Sequence, residues 1–177
     1  MKHGFDGTSI DAVAEAASMS KRTVYARYRD KNELFSAVLR DLIDRWLVPI
    51  NQFQLGTHEL EPMLMEIGRH LLGSALAPQD VSLHRIILGE SERRPAFGRL
   101  ANAEGRQPAV RAIATALRRH ASQLRVNDLE RAAEQFISLV IDGDLRLAAF
   151  GIGPVPDEIE ERVRQAVDLF LHGIQSR

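Results

Sequence analysis

Residues 8–25, TSIDAVAEAASMSKRTVY, constrain this chain more than any other stretch. Apolar side chains recur at Ile10, Val13, Ala14 and Ala17, the spacing of one buried helix face. Thr8 and Asp11 form a T-x-x-D capping box, with Asp in place of Glu, which sets the expected helix start. Ser18 and Met19 make a turn, and Ser20 is the expected N-cap of a second helix over residues 20–27. Val24 and Tyr28 face inward and Thr23 lies near the helix–helix contact, so Lys21, Arg22 and Tyr25 are left outside. Two short helices joined by so tight a turn pack as a crossed pair. The second, at about 1.5 Å per residue, is roughly 10–12 Å long, which suits a DNA major groove about 12 Å wide.

Charge agrees with this locally and not globally. The net charge of −1 rules out a chain that binds nucleic acid over its whole surface. Residues 21–31 carry five bases, Lys21, Arg22, Arg27, Arg29 and Lys31, against one acid, Asp30. A local patch of that kind is enough to hold phosphate. The chain has no cysteine, which excludes disulfides, thiolate metal sites and cysteine nucleophiles and fits a reducing, cytoplasmic setting. No apolar run approaches the roughly 18 residues of a membrane span. Met1-Lys2-His3-Gly4 is not followed by the apolar core of a signal peptide. No membrane association is expected.

The remainder reads as helix without a competing strand pattern. Asp30 caps a longer helix, with Glu33 at its third position. Leu34, Phe35, Val38, Leu39, Leu42, Ile43, Trp46 and Leu47 form its wide apolar stripe, and Pro49 ends or kinks it. A helix this long couples a head to a body. Leu60, Met63, Leu64, Ile67, Leu71 and Ala75 mark the next helix. Residues 77–80 read as a loop and 81–91 as a helix. Residues 95–100 read as a short helical turn, and Pro108 starts a further helix. Asp128 starts another, whose segment 136–150 is apolar on nearly every side and is therefore expected to be buried all round. Residues 151–156 break the chain. The last helix opens with Asp157, Glu158, Glu160 and Glu161 at its positive end and carries Val163, Val167 and Phe170 in its stripe. The expected fold class is all-α. A helix-turn-helix head spans residues 1–45, and a larger helical body spans residues 46–177.

Signals for catalysis are poor. His58-Glu59 opens like the zinc motif H-E-x-x-H, but Pro62 occupies the place of the second histidine. Gly151-Ile152-Gly153 lacks a preceding strand and a third glycine. Asp142 and Asp144 lie on different faces of their helix, so they are expected to pair with an arginine such as Arg146, or across an interface, rather than as an acid–base couple. No enzyme activity, metal or cofactor is expected.

Gly4-Phe5 through Thr8-Ser9, Val13-Ala14, Ala17, Ser20, Thr23-Val24-Tyr25, Tyr28, Lys31 and Leu34-Phe35 together resemble the DNA-binding head of the TetR/AcrR family of bacterial transcriptional regulators. The resemblance implies a homodimeric repressor that binds a palindromic operator in double-stranded DNA and is released by a small-molecule effector, with residues 46–177 as its ligand-binding and dimerisation body. The family's head has a further helix ahead of the position of Gly4, and the sequence starts where that helix would end. Ser18 stands where the family commonly has glycine in a left-handed turn. Arg27 stands where it often has Tyr or His beside phosphate.

Expected DNA contacts follow from chemistry. Arg22 can bind guanine O6 and N7 through two hydrogen bonds, Lys21 a base or phosphate, and Tyr25 a thymine methyl or phosphate. Thr8, Ser9 and Thr23 offer hydroxyls, while Arg27 and Lys31 offer cations, to phosphate. Met63, Ile67, His70, His84, Phe97 and Phe136 are candidates to line an effector pocket, each set against plain core packing. Phe136, Val140, Leu147, Val163, Val167 and Phe170 are the expected dimer interface, formed as a four-helix bundle.

Overall fold

The computed structural model describes residues 4–53, 59–153 and 158–174, all of whose regular structure is helical. Residues 1–3, His58, residues 154–156 of the expected break and Asp157 lie outside the described residues. Helix α1 (Ile10–Ala16) and helix α2 (Lys21–Arg27) form the crossed pair, and α3 (Lys31–Phe53) leads away from it. Ile10, Ala14 and Val24 make the small head core, with Tyr28 and Leu34 packed against it.

Helix α1 starts one residue later than the capping box suggested. Ser9 is its N-cap and accepts a 3.0 Å hydrogen bond from the Ala12 amide. Thr8 instead turns back and donates to the Gly4 carbonyl at 2.7 Å. Pro49 does not end α3, which runs on to Phe53. This long helix crosses the boundary expected near residue 45 and so belongs to both head and body. Glu33 closes its start, its amide donating to Asp30 Oδ1 at 2.9 Å.

The body comprises α4 (Leu60–Ala75), α5 (Pro78–Glu90), α6 (Pro95–Leu100), α7 (Gln107–Arg118), α8 (Leu129–Ala149) and α9 (Ile159–Ile174). The expected loop at 77–80 is shorter than the sequence suggested. Pro78, whose fixed φ suits a first helical position, begins α5 there. Between α6 and α7 the chain takes one π-helical stretch, Ala101–Arg106, so the two run on without a loop.

The main core gathers Leu64, Ile67 and Leu71 of α4, Ile113 and Leu117 of α7, Phe136 and Ile137 of α8, and Val163 and Val167 of α9. Each such side chain, fully buried, contributes about 1.5–3 kcal/mol of transfer free energy. Gly68 lets α4 and α9 approach closely, since a Cβ there would lie 2.7 Å from Val163 Cγ1.

The expectation that 136–150 is buried all round is corrected. Phe136 and Val140 are buried, but Leu139, Leu147 and Phe150 are exposed. Asp142 and Asp144 do not reach Arg146. Asp144 pairs with Arg162 of α9 at 2.7 Å, and Asp142 lies 3.6 Å from Arg106. Both aspartates tie helices within one chain, which is what places them in so apolar a helix.

Candidate nucleic-acid interface

The turn between α1 and α2 requires a left-handed residue, and Ser18 supplies it at φ +54°. That turn fixes α2 across α1. At the start of α2, Ser20 Oγ accepts from the Thr23 amide at 3.1 Å, and its hydroxyl lies 2.7 Å from that of Thr23. Thr23 is thereby held as part of the cap. One turn on, Val24 is buried against Ile10 and Ala14. Burying Val24 forces the residues on the other side of α2 outward: Lys21, Arg22, Tyr25 and Ala26 are all exposed. Tyr25, a large ring that apolar burial would favour, keeps 51% of its surface in solvent.

The cations divide into free and committed. Arg22 and Arg27 make no hydrogen bond or ion pair among the described residues, so both guanidinium forks are open to a ligand. Lys21 pairs with Asp11 of α1, and that hydrogen bond and charge hold its ammonium above the usual lysine range. Arg29 folds back on Glu33, whose carboxylate accepts from the Arg29 backbone amide at 2.7 Å and from Nε at 3.1 Å. The backbone contact first, and the guanidinium second, hold the Glu33 carboxyl below the ordinary range.

Lys31 differs most from the sequence expectation. Its ammonium donates to the carbonyls of Phe5 at 2.7 Å, Thr8 at 2.8 Å and Asp6 at 3.3 Å, and sits 4.5 Å from the centre of the Phe5 ring. An ammonium has three donors, and all are engaged. The geometry makes Lys31 the clasp that holds the loop before α1. Thr8 and Ser9, both engaged in local hydrogen bonds at the head of α1, stand on this same loop.

The expected effector residues do not converge. Met63, Ile67 and Phe136 are 2%, 1% and 0% exposed and belong to the closed main core. Phe97 packs elsewhere, against Phe5 and Phe35. His70 Nε2 lies 2.8 Å from the Trp46 carbonyl. His84 is half-buried on α5, and that burial lowers its imidazole below the usual histidine value, against the opposing pull of Asp142. A cleft of about 300 Å³ does open beside α3, lined by Leu42, Arg45, Trp46, Ser74 and Asp80, and none of the six expected residues lines it.

The expected dimer residues are likewise corrected. Phe136, Val140, Val163, Val167 and Phe170 are all buried within the single chain. Only Leu147 of that set, 36% exposed, is open to a partner. The apolar side chains that α8 and α9 leave in solvent are Leu139, Leu147 and Leu169, joined by Phe150 and Ile152 beyond α8. The stripe of α8 and α9 therefore serves the chain's own core. Amphipathic spacing marks a buried face without saying whether the same chain or another covers it.

Sequence reasoning also missed Asp6, Arg93 and Arg94. The two arginines reach Asp6 at 2.8 and 2.9 Å across more than eighty residues of chain, and no local pattern announces such a pairing.

Comparison with known proteins adds to this geometry. Residues 1–38 match the family described as bacterial regulatory proteins, tetR family. Residues 62–173 match the AefR-like transcriptional repressor, C-terminal domain. An uncharacterised HTH-type transcriptional regulator of Mycobacterium tuberculosis is 36% identical over 99 residues, which is 54% of this chain and 44% of that protein. The chain thus matches under half the length of that relative. Among solved structures, a TetR-family transcriptional regulator of Mesorhizobium loti superposes with a TM-score of 0.88 at 23% identity, covering 99% of this chain and 90% of that one, a likeness of fold. The flavonoid-responsive regulator FrrA has a TM-score of 0.74 at 31% identity, covering 99% of this chain and 91% of its own. With a helix-turn-helix head, an exposed cationic second helix and both halves matched, the chain belongs to the TetR family of DNA-binding transcriptional regulators.

Proposed function

We propose that this regulator is a homodimeric repressor whose two heads, residues 1–45, grip a palindromic operator and whose bodies, residues 46–177, pair and bind a small-molecule effector that releases the DNA. The observation that carries the reading is the outer face of α2, where Arg22 and Tyr25 stand exposed opposite the buried anchor Val24. Arg22, with a free fork, reads guanine through O6 and N7. Tyr25 meets a thymine methyl or a phosphate. Arg27, also free, binds phosphate, and Lys21 does so by exchanging Asp11 for it. Thr8, Ser9 and Thr23 line the phosphate path with hydroxyls that also make local hydrogen bonds at the starts of α1 and α2. Lys31 contributes from behind, by fixing the loop that carries Thr8 and Ser9.

Pairing through the exposed apolar faces of α8 and α9 would hold two α2 helices roughly 34–36 Å apart, one turn of B-DNA. Operator binding requires no membrane, metal or cofactor and takes place in the cytoplasm. The similarity to a flavonoid-responsive regulator supports a small organic effector. The cleft beside Trp46 offers such an effector a site that leaves the closed core around Met63, Ile67 and Phe136 undisturbed.

The test is titration of the chain against duplex from its own upstream region, read by fluorescence anisotropy over a range of salt. Arg22→Ala should weaken specific binding by about 1–3 kcal/mol and relax base preference at one position per half-site. Affinity that is insensitive to salt and to Arg22 would overturn the reading.

A further inference from the structure

Of the cations between residues 21 and 31, Lys31 is held by backbone carbonyls and Arg29 by Glu33 of its own segment. Lys21 is held differently. It stands on the outer face of α2 with Arg22 and Tyr25, and its acid comes from another helix: Asp11 Oδ2 of α1 lies 2.5 Å from Lys21 Nζ. Lys21 keeps 66% of its side chain in solvent and Asp11 45%. An ion pair so exposed adds little to stability. The surroundings of Asp11 do not favour a stabilising role either. Its other oxygen, Oδ1, is buried and has no hydrogen-bond partner among the described residues. A buried acceptor left unpaired lowers stability. The electrostatics of α2 give a better account of the pair. Its first turn holds no acid, although free amides and aligned peptide dipoles make that end positive. Lys21 and Arg22 both stand there, so the start of α2 draws phosphate. Asp11 opposes that charge from across the helix pair, and Glu15, one turn further along α1, adds to its pull on Lys21.

We propose that Asp11 is a specificity-determining residue: it keeps Lys21 from phosphate in loose, sequence-independent complexes and yields it only when the operator is seated. The inference rests on the reading of α2 as the operator-contacting helix and of Lys21 as a phosphate ligand. Sequence-independent binding is essentially all electrostatic. In a loose complex, phosphate stays beyond contact distance of Nζ. The carboxylate already in contact wins, because Coulomb attraction falls with distance and salt screens what remains. The paired lysine then carries no net charge toward DNA. In the operator complex Arg22 and Tyr25 meet base edges, which brings the start of α2 against the backbone. Phosphate now lies within reach of Nζ, and an exposed pair is cheaply exchanged. Asp11 thus removes one cation from nonspecific binding and leaves it available to specific binding, which widens the ratio of the two affinities.

The test is a salt titration of the full chain on two duplexes, its own upstream region and a shuffled sequence of the same length and composition, read by fluorescence anisotropy. Asp11→Asn keeps the side chain's shape and removes its charge. On the shuffled duplex it should steepen the slope of log affinity against log salt by about 0.9, the effect of one added phosphate contact. On the upstream duplex the slope should hold, so the ratio of the two affinities should fall. Asp11→Asn combined with Lys21→Gln should bring the shuffled-duplex slope back to its original value, because the freed cation is gone. Glu15, exposed and without an ion pair among the described residues, supplies the control. Glu15→Gln removes the same charge from α1 without freeing a cation and should leave the slope alone. The proposal is overturned if Asp11→Asn leaves the shuffled-duplex slope unchanged, as a purely stabilising pair would. It is equally overturned if Glu15→Gln steepens that slope as much, if the double variant stays steep, or if Asp11→Asn steepens both duplexes alike. The operator reading fails separately, on an unsubstituted chain that does not prefer its upstream duplex, and the shuffled duplex still reports on Asp11 in that event.

Discussion

Lys31 shows how one side chain's role depends on what it meets. In the sequence it is a cation at the first turn of a helix, in a stretch rich in bases, and phosphate is the natural partner. In the fold, three backbone carbonyls from residues twenty or more positions earlier surround its ammonium. Lys31→Met should therefore destabilise the head by about 1–3 kcal/mol, the cost of leaving such acceptors unsatisfied. It should leave the salt slope of DNA binding unchanged, whereas losing a phosphate contact lowers the slope by about 0.9. Thermal denaturation together with a salt titration separates the two roles. Other residues were fully legible. Ser20 and Asp128 cap the helices assigned to them, and Ser18 takes the left-handed conformation expected of its place in the turn. These are local effects, decided within four or five residues, and a sequence displays them directly. The partners of Asp142 and Asp144 were not legible, because Arg106 and Arg162 reach them only after the helices pack.

At the scale of elements, periodicity located every long helix to within a few residues. It misplaced ends where a local rule had a competitor. Ser9 displaced Thr8 as a cap, and Pro78 began a helix where a proline-containing loop was expected. What periodicity does not carry is how closely two helices approach. Gly68 decides that for α4 and α9. Val163, its neighbour across the interface, is wholly buried and β-branched, with no room to give way. Gly68→Ala should gain up to about 1 kcal/mol in helix propensity and lose about 1–3 kcal/mol to overpacking, a net destabilisation. Val163→Ala in the same chain should recover part of the loss. Urea denaturation of the two single variants and the double variant measures the coupling, and strictly additive changes would show that the two positions do not meet.

At the scale of the whole molecule, the proposed dimer rests on side chains that a single chain leaves uncovered. Leu169 is 62% exposed in α9 and Leu147 is exposed in α8, while their buried counterparts serve the chain's own core. Leu169→Glu should therefore shift the chain to monomer in sedimentation velocity with its helix content unchanged. Phe136→Glu, by contrast, would place a charge in a closed core and unfold the body. A dimer that survives Leu169→Glu and Leu147→Glu together would place the interface elsewhere. The sequence by itself determined the all-helical class, the helix-turn-helix and the exposed cationic face of α2. Each of these follows from spacing and caps, which act between near neighbours. Tertiary structure alone decided which apolar faces close within one chain, which cations stay free, and that Phe5 and Asp6 lock onto Arg93, Arg94 and Phe97. Those outcomes depend on surfaces and charges that meet only once distant segments have packed, and spacing along the chain carries no measure of that distance.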